Sequence, residues 1–134
     1  MIQGISHITF VVRNLEQTAA LFLEVLDAQE VYDSGNDIHS LYPEKFFLIG
    51  RQWIAVMQTD EIKNRTYHHV AFQVNASDLG TYRDRIEKAG LEIRPPRSRI
   101  AGEGQSIYFY DYDHNLFELH TGTLEKRLKA YKKG

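Results

Sequence analysis

Apolar and polar residues change period along this chain in one order, and then do so again. His7-Ile8-Thr9-Phe10-Val11-Val12 alternates as a strand does, and Asn14 followed three residues later by Gln17 reads as a helix start. Leu15, Ala19, Phe22 and Leu26 then recur at helical spacing, and strand-like stretches follow at 30–33, 39–42, 46–49 and 53–57. The second half repeats the order. Residues 69–74 read as a strand, Ser77 or Asp78 as a helix cap, and Leu79, Tyr82, Ile86 and Ala89 as one helical stripe stopped by Gly90. Strands at 92–94, 106–110 and 116–120 complete it, with 111–115 as the turn between the last two. Leu124, Leu128 and Tyr131 predict a short basic terminal helix.

Each half is therefore strand, helix and a run of strands, and neither half alone buries both faces of its sheet. Strand His7-Ile8-Thr9-Phe10 and strand His69-Val70-Ala71-Phe72 present histidines at equivalent positions, 62 residues apart. A third strand, Leu116-Phe117-Glu118-Leu119-His120, adds a carboxylate. Side chains alternate across a strand, so His7 and Thr9 share a face, as do Ser106, Tyr108 and Tyr110, and Leu116, Glu118 and His120. His68 must point away from His69. Two histidines and one carboxylate on strands suit a divalent-metal site with open coordination positions. Strand geometry alone leaves Glu118 and His120 both open as third ligand.

Composition narrows the chemistry. At 134 residues the chain fits one domain, or two small modules sharing a core. With 43% hydrophobic and 25% charged residues and a net charge of -2, it carries no electrostatic footprint for nucleic acid. The chain has no cysteine, which excludes disulfides, thiolate metal sites and a cysteine nucleophile, so a metal must be held by nitrogen and oxygen. That favours Mn, Fe, Co, Ni or Zn. No apolar run approaches the ~20 residues of a membrane span, and no basic-then-apolar leader opens the chain, so the expected location is cytoplasmic.

Five stretches resemble one known family: Gly4-Ile5-Ser6-His7-Ile8-Thr9, Glu44-Lys45-Phe46-Phe47-Leu48-Ile49, Arg65-Thr66-Tyr67-His68-His69, the run from Gly102 to Asp111, and the run from Phe117 to Leu124. They resemble the vicinal oxygen chelate superfamily, and within it the epoxide-hydrolase branch of the fosfomycin-resistance proteins. The resemblance implies an α+β fold of paired βαβββ modules, the glyoxalase fold, forming a curved mixed sheet around a metal site. It places module one at about 1–60, module two at about 65–122 and a C-terminal helix at about 123–132, in a single domain.

The resemblance further implies that His7, His69 and Glu118 ligate a divalent metal, usually manganese, with a phosphonate oxygen and the epoxide oxygen of fosfomycin in the open positions. Glu44, just after Pro43, is then the general base that takes a proton from water, and hydration opens the epoxide at carbon 1 to a vicinal diol. Thr9, Ser106, Tyr108 and Arg127 are implied as donors to the phosphonate, with Trp53 and Tyr67 lining the pocket. The glutathione-transferring branch binds potassium in a lysine- and serine-rich loop; here the stretch reads Arg97-Ser98-Arg99-Ile100-Ala101-Gly102, so Arg97 or Arg99 stands where that ion would be. Relatives of this type are homodimers that share sites between subunits. A thiol transferase and a non-catalytic drug-binding protein are the alternatives within the fold. Glu44 speaks against the first and the complete ligand set against the second.

Overall fold

The structure is a computed structural model that describes residues 1–61 and 63–133, with the Lys133 side chain left out. It divides into two compact units. The first comprises Met1–Asn64 with Tyr112–His114, and the second Arg65–Asp111 with Asn115–Gly134.

The first unit runs β1 (His7–Val12), α1 (Leu15–Leu26), β2 (Gln29–Asp33), β3 (Glu44–Ile49) and β4 (Gln52–Gln58). Its sheet has the order β1-β4-β3-β2, with β1 parallel to β4 and the other pairs antiparallel. Helix α1 starts where expected because the Asn14 side chain accepts the Gln17 N–H at 3.0 Å, which satisfies one of the free donors of the first turn. Its stripe of Leu15, Ala19, Phe22 and Leu26 is buried, and Phe22 meets Phe47 of β3 edge-on at 5.1 Å. Phe10, Val12, Phe47, Ile49, Ile54 and Val56 share that covered face. Lys45 is buried there too. Glu16 at 3.3 Å, Glu30 at 3.0 Å and Asp33 at 3.0 Å compensate its charge.

The strand expected at 39–42 does not form. Asp33 caps a turn at the Gly35 N–H, Gly35 takes a positive φ of 53°, and His39, Ser40, Leu41 and Tyr42 are exposed. Alternation in that segment has no second layer to bury it, and Pro43 offers no N–H for pairing. The chain re-enters the sheet only at Glu44.

The second unit repeats the plan with β5 (His69–Gln73), a short turn at Ala76–Asp78, α2 (Leu79–Lys88), β6 (Ile93–Arg94), β7 (Ser106–Tyr110) and β8 (Leu116–His120), then α3 (Leu124–Lys133). The sheet order is β5-β8-β7-β6, with β5 parallel to β8. Fully buried Phe109 and Phe117 stack at 5.5 Å on the covered face, with Ile86 of α2 equally buried. Asp78 stands at the N-cap of α2 but makes no side-chain capping bond. Gly90 ends that region with a φ of 73°, as a stop glycine should. Among the described residues no helix is long and apolar enough to cross a membrane.

Candidate metal centre

In each sheet one face is covered by a helix, and the expected site residues lie on the other. On the first unit the register aligns His7 with Trp53, Thr9 with Ala55, Ala55 with Phe46 and Met57 with Glu44, so His7, Thr9, Trp53 and Glu44 share one face. The His7 ring stacks on Trp53 with centroids 4.1 Å apart, and its Nδ1 lies 3.1 Å from Ser6 Oγ. Trp53 Nε1–H is buried and finds no hydrogen-bond partner among the described residues.

Glu44 is not the solvated turn residue that a glutamate after proline usually is. It opens β3 and is 6% exposed. Its backbone is pinned on both sides, N–H to Ser34 Oγ at 3.1 Å and carbonyl to the Ser34 N–H at 3.0 Å. Among the described residues no hydrogen bond reaches its carboxylate.

The second unit gathers a polar network on the equivalent face. His69 Nδ1 lies 2.7 Å from the Tyr67 carbonyl, which can only accept, so the ring hydrogen sits on Nδ1. His69 Nε2 then faces Glu118 Oε1 at 3.0 Å. A ring nitrogen this close to a carboxylate oxygen is bridged by a cation, whether a proton carried on the ring or a metal ion held by both. The donor set is therefore suited to a divalent metal ion.

Glu118 is 4% exposed. Burial raises its pKa, but hydrogen bonds from Ser106 and Tyr108 outweigh that and hold it below the ordinary carboxylate value. Ser106 Oγ lies 2.5 Å from Glu118 Oε2, and Arg99 Nη2 reaches Ser106 Oγ at 2.9 Å, Tyr108 OH at 3.1 Å and Glu118 Oε2 at 3.4 Å. Tyr67 OH donates to Tyr108 OH at 3.3 Å. Burial, with Tyr67 and Glu118 adding to it, pushes the Tyr108 hydroxyl up to about 12, so it remains a donor at any physiological pH. His120 is lowered by burial and by the nearby arginines despite Glu118. Arg127 Nη2 lies 3.1 Å from His120 Nε2.

Of the two loop arginines, Arg99 joins this network and Arg97 turns instead to Glu103, at 2.6 Å. Glu103, unforeseen from the sequence, is 2% exposed. The Tyr131 hydroxyl at 2.5 Å, then Arg97 and the Ile100 N–H at 3.2 Å, hold its carboxyl down at about 2. Its one visible signal was its place between Gly102 and Gly104. Both Gly104 and Gly122 are required by close approach: a Cβ on Gly122 would stand 2.5 Å from the Glu103 carbonyl oxygen and 2.7 Å from His120 Nε2. A cleft of about 420 Å³ borders the network, lined among others by Arg83, Arg97, Arg99, Gln105 and Ser106.

The second unit thus brings together His69, Glu118, Tyr67, Tyr108, Ser106 and Arg127, while His7, Thr9, Trp53 and Glu44 belong to the first. Among the described residues no group of three or more His, Asp or Glu side chains is gathered to hold a metal ion.

Residues 4–119 match the family model of the Glyoxalase/Bleomycin resistance protein/Dioxygenase superfamily. The chain is 53% identical to the fosfomycin resistance protein FosX of Listeria innocua, over 99% of this chain and 100% of that protein. It is 52% identical to the FosX of Mesorhizobium japonicum, over 100% of this chain and 96% of that protein. The chain belongs to this superfamily and, within it, to the FosX family. A crystal structure of a glutamate-to-glutamine variant of Listeria monocytogenes FosX, complexed with Mn(II) and 1S,2S-dihydroxypropylphosphonic acid, superposes with a TM-score of 0.91 at 50% identity, covering 96% of this chain and 99% of that one. The FosX family match and that superposition bear out the α+β glyoxalase fold that the resemblance implied.

Proposed function

We propose that the protein is a Mn(II)-dependent epoxide hydrolase that adds water at carbon 1 of fosfomycin and so confers resistance to it. The observation that carries this reading is the diol phosphonate held with Mn(II) by a FosX protein half identical to this chain, since a vicinal diol is what water leaves when it opens an epoxide. His69 Nε2 and Glu118 Oε1, 3.0 Å apart, support it as the two ligands of the second unit, with His7 as the third. Mn(II), when bound there, supplies a Lewis acid for the epoxide oxygen.

Glu44 takes the proton from the attacking water. A carboxylate with no hydrogen bond of its own, in a 6% exposed position, suits a general base better than a paired one would. The water oxygen bonds to carbon 1 with inversion as the carbon–oxygen bond of the ring breaks, and the oxygen left on carbon 2 takes up a proton. Thr9, Tyr108 and Arg127 offset the phosphonate charge by donating hydrogen bonds, Arg99 adds a guanidinium where relatives of the transferring branch use potassium, and Tyr67 and Trp53 line the pocket. The unpartnered Trp53 Nε1–H supports that placement.

The protein acts in the cytoplasm as a homodimer whose copies share each site. Exposed Ile2, Ile5, Leu41 and Leu124 supply apolar surface for a second copy. Phosphorus NMR of fosfomycin with metal-free protein, then with Mn²⁺, with and without glutathione, tests the activity. Metal-dependent diol formation without thiol is expected; turnover only with thiol would assign a transferase instead.

A further inference from the structure

Ser106 stands on the second unit where a hydroxyl donor to the phosphonate was expected, but its hydrogen-bonding capacity is fully used. A serine hydroxyl has one hydrogen to give and two lone pairs to fill. Arg99 Nη2, 2.9 Å away, can only donate and fills one lone pair. His120 Nδ1 lies 2.6 Å away. The other ring nitrogen of His120 is 3.1 Å from Arg127 Nη2, again a group that can only donate, so Nε2 accepts and the ring hydrogen sits on Nδ1. Nδ1–H therefore fills the second lone pair of Ser106. The one hydroxyl hydrogen is left for Glu118 Oε2 at 2.5 Å.

From this we infer that His120 and Ser106 are positioning residues for the metal-binding carboxylate. The hydrogen bonds run one way, from Arg127 to His120 to Ser106 to Glu118, and they reserve Oε2. Only Oε1, the oxygen 3.0 Å from His69 Nε2, is then free for a cation, so Glu118 ligates through a single oxygen. The fold spends close backbone packing on this arrangement. Gly122 lets the His120 ring approach to a point where any Cβ would collide, at 2.7 Å from Nε2. Ser106 is accordingly no donor to substrate, and the phosphonate is left to the other groups.

The inference rests on the reading of Glu118 as a metal ligand, and Mn²⁺ affinity tests both without any need for turnover. Free Mn²⁺ is followed by EPR during titration of the full chain. Ser106→Ala and His120→Phe are each expected to weaken binding about 10- to 100-fold, the usual effect of removing a group that orients a ligand. The double variant should fall well short of the product of the two single losses, because the hydrogen bonds from His120 reach Glu118 through Ser106 and its own Nδ1 stands off at 3.4 Å from Oε2. His120→Asn places an amide N–H near the lost Nδ1–H and should recover most of the affinity, which separates positioning from misfolding. Wild-type affinity in His120→Phe, or losses that multiply in the double variant, would overturn the inference. Glu118→Gln serves as reference: if it loses Mn²⁺ while His120→Phe does not, only the positioning role falls, and if neither loses Mn²⁺ the ligand assignment beneath it falls as well.

Discussion

The two sheets share one plan and differ in what they display on the face their helices leave open. Register aligns them row by row. His7, Trp53 and Leu48 of the first unit correspond to His69, Leu116 and Tyr110 of the second; Thr9, Ala55 and Phe46 to Ala71, Glu118 and Tyr108; and Val11, Met57 and Glu44 to Gln73, His120 and Ser106. The histidine is kept in the first row of both. Everything after it diverges, because the second unit fills its middle and third rows with a continuous hydrogen-bonded network around Glu118. The first unit is apolar there apart from Thr9 and Glu44. A carboxylate held by Ser106 and Arg99 is pre-set to hold a cation, whereas one that no hydrogen bond reaches among the described residues keeps its lone pairs for a proton.

The largest expected effect separates those two carboxylates. Glu44→Gln should lower kcat for diol formation by about 10²- to 10⁴-fold, the usual contribution of a general base, and leave Mn²⁺ affinity at the wild-type value. Glu118→Gln should do the reverse in order, losing the metal first. Phosphorus NMR for turnover and EPR for free Mn²⁺ read the two quantities independently. Equal loss of Mn²⁺ in both variants would mean that the two carboxylates do not differ in role.

Below the site, the same comparison should become symmetric. Phe47 and Phe109 occupy equivalent positions on the covered faces, and both are fully buried. Truncating either to alanine should cost about 3–5 kcal/mol in urea unfolding, from lost transfer energy and the cavity left behind. A cost well below that in one unit alone would show that its core collapses around the gap.

Much of this plan was legible because burial on one side imposes a period. The strands at 7–12 and 69–73, the Asn14 cap and the stripe of α1 all follow from a sheet face pressed against a helix. Residues 39–42 alternate as convincingly and form no strand, since no layer lies over them to reward it. Loop 95–105 has no period at all, so nothing in the pattern could divide Arg97 from Arg99. Their roles are set by Glu103, which captures Arg97, and by Ser106, Tyr108 and Glu118, which accept from Arg99. The commitment of the Ser106 hydroxyl was equally hidden, because it depends on which nitrogen of His120 faces Arg127.

Acid should distinguish the units next. Glu103 of the second unit has a carboxyl held at about 2 against an ordinary value of 4.5, by Tyr131 first and Arg97 next. A folded value below the unfolded one means that the stabilisation is fully present above pH 4.5 and is lost as pH falls from there toward 2. The urea midpoints of wild type and Glu103→Gln should therefore differ at neutral pH and converge across that window. A difference that stays constant down to pH 2 would place the anchor in hydrogen bonding that protonation does not touch.

The smallest difference lies in how the two equivalent helices begin. Asn14 accepts the Gln17 N–H at 3.0 Å and so satisfies a donor that would otherwise have only water. Asp78, in the same place on α2, makes no capping bond with its side chain, and the turn at Ala76–Asp78 leads the chain into the helix instead. Asn14→Ala should then cost about 1 kcal/mol, while Asp78→Ala should stay within about 0.5 kcal/mol of wild type. Charge gives Asp78 some favourable interaction with the helix dipole even without a bond, which salt screens, so urea melts at low and high ionic strength refine the test. A cost for Asp78→Ala that vanishes in salt is a dipole effect, and one that persists would mean that a capping bond forms in solution after all.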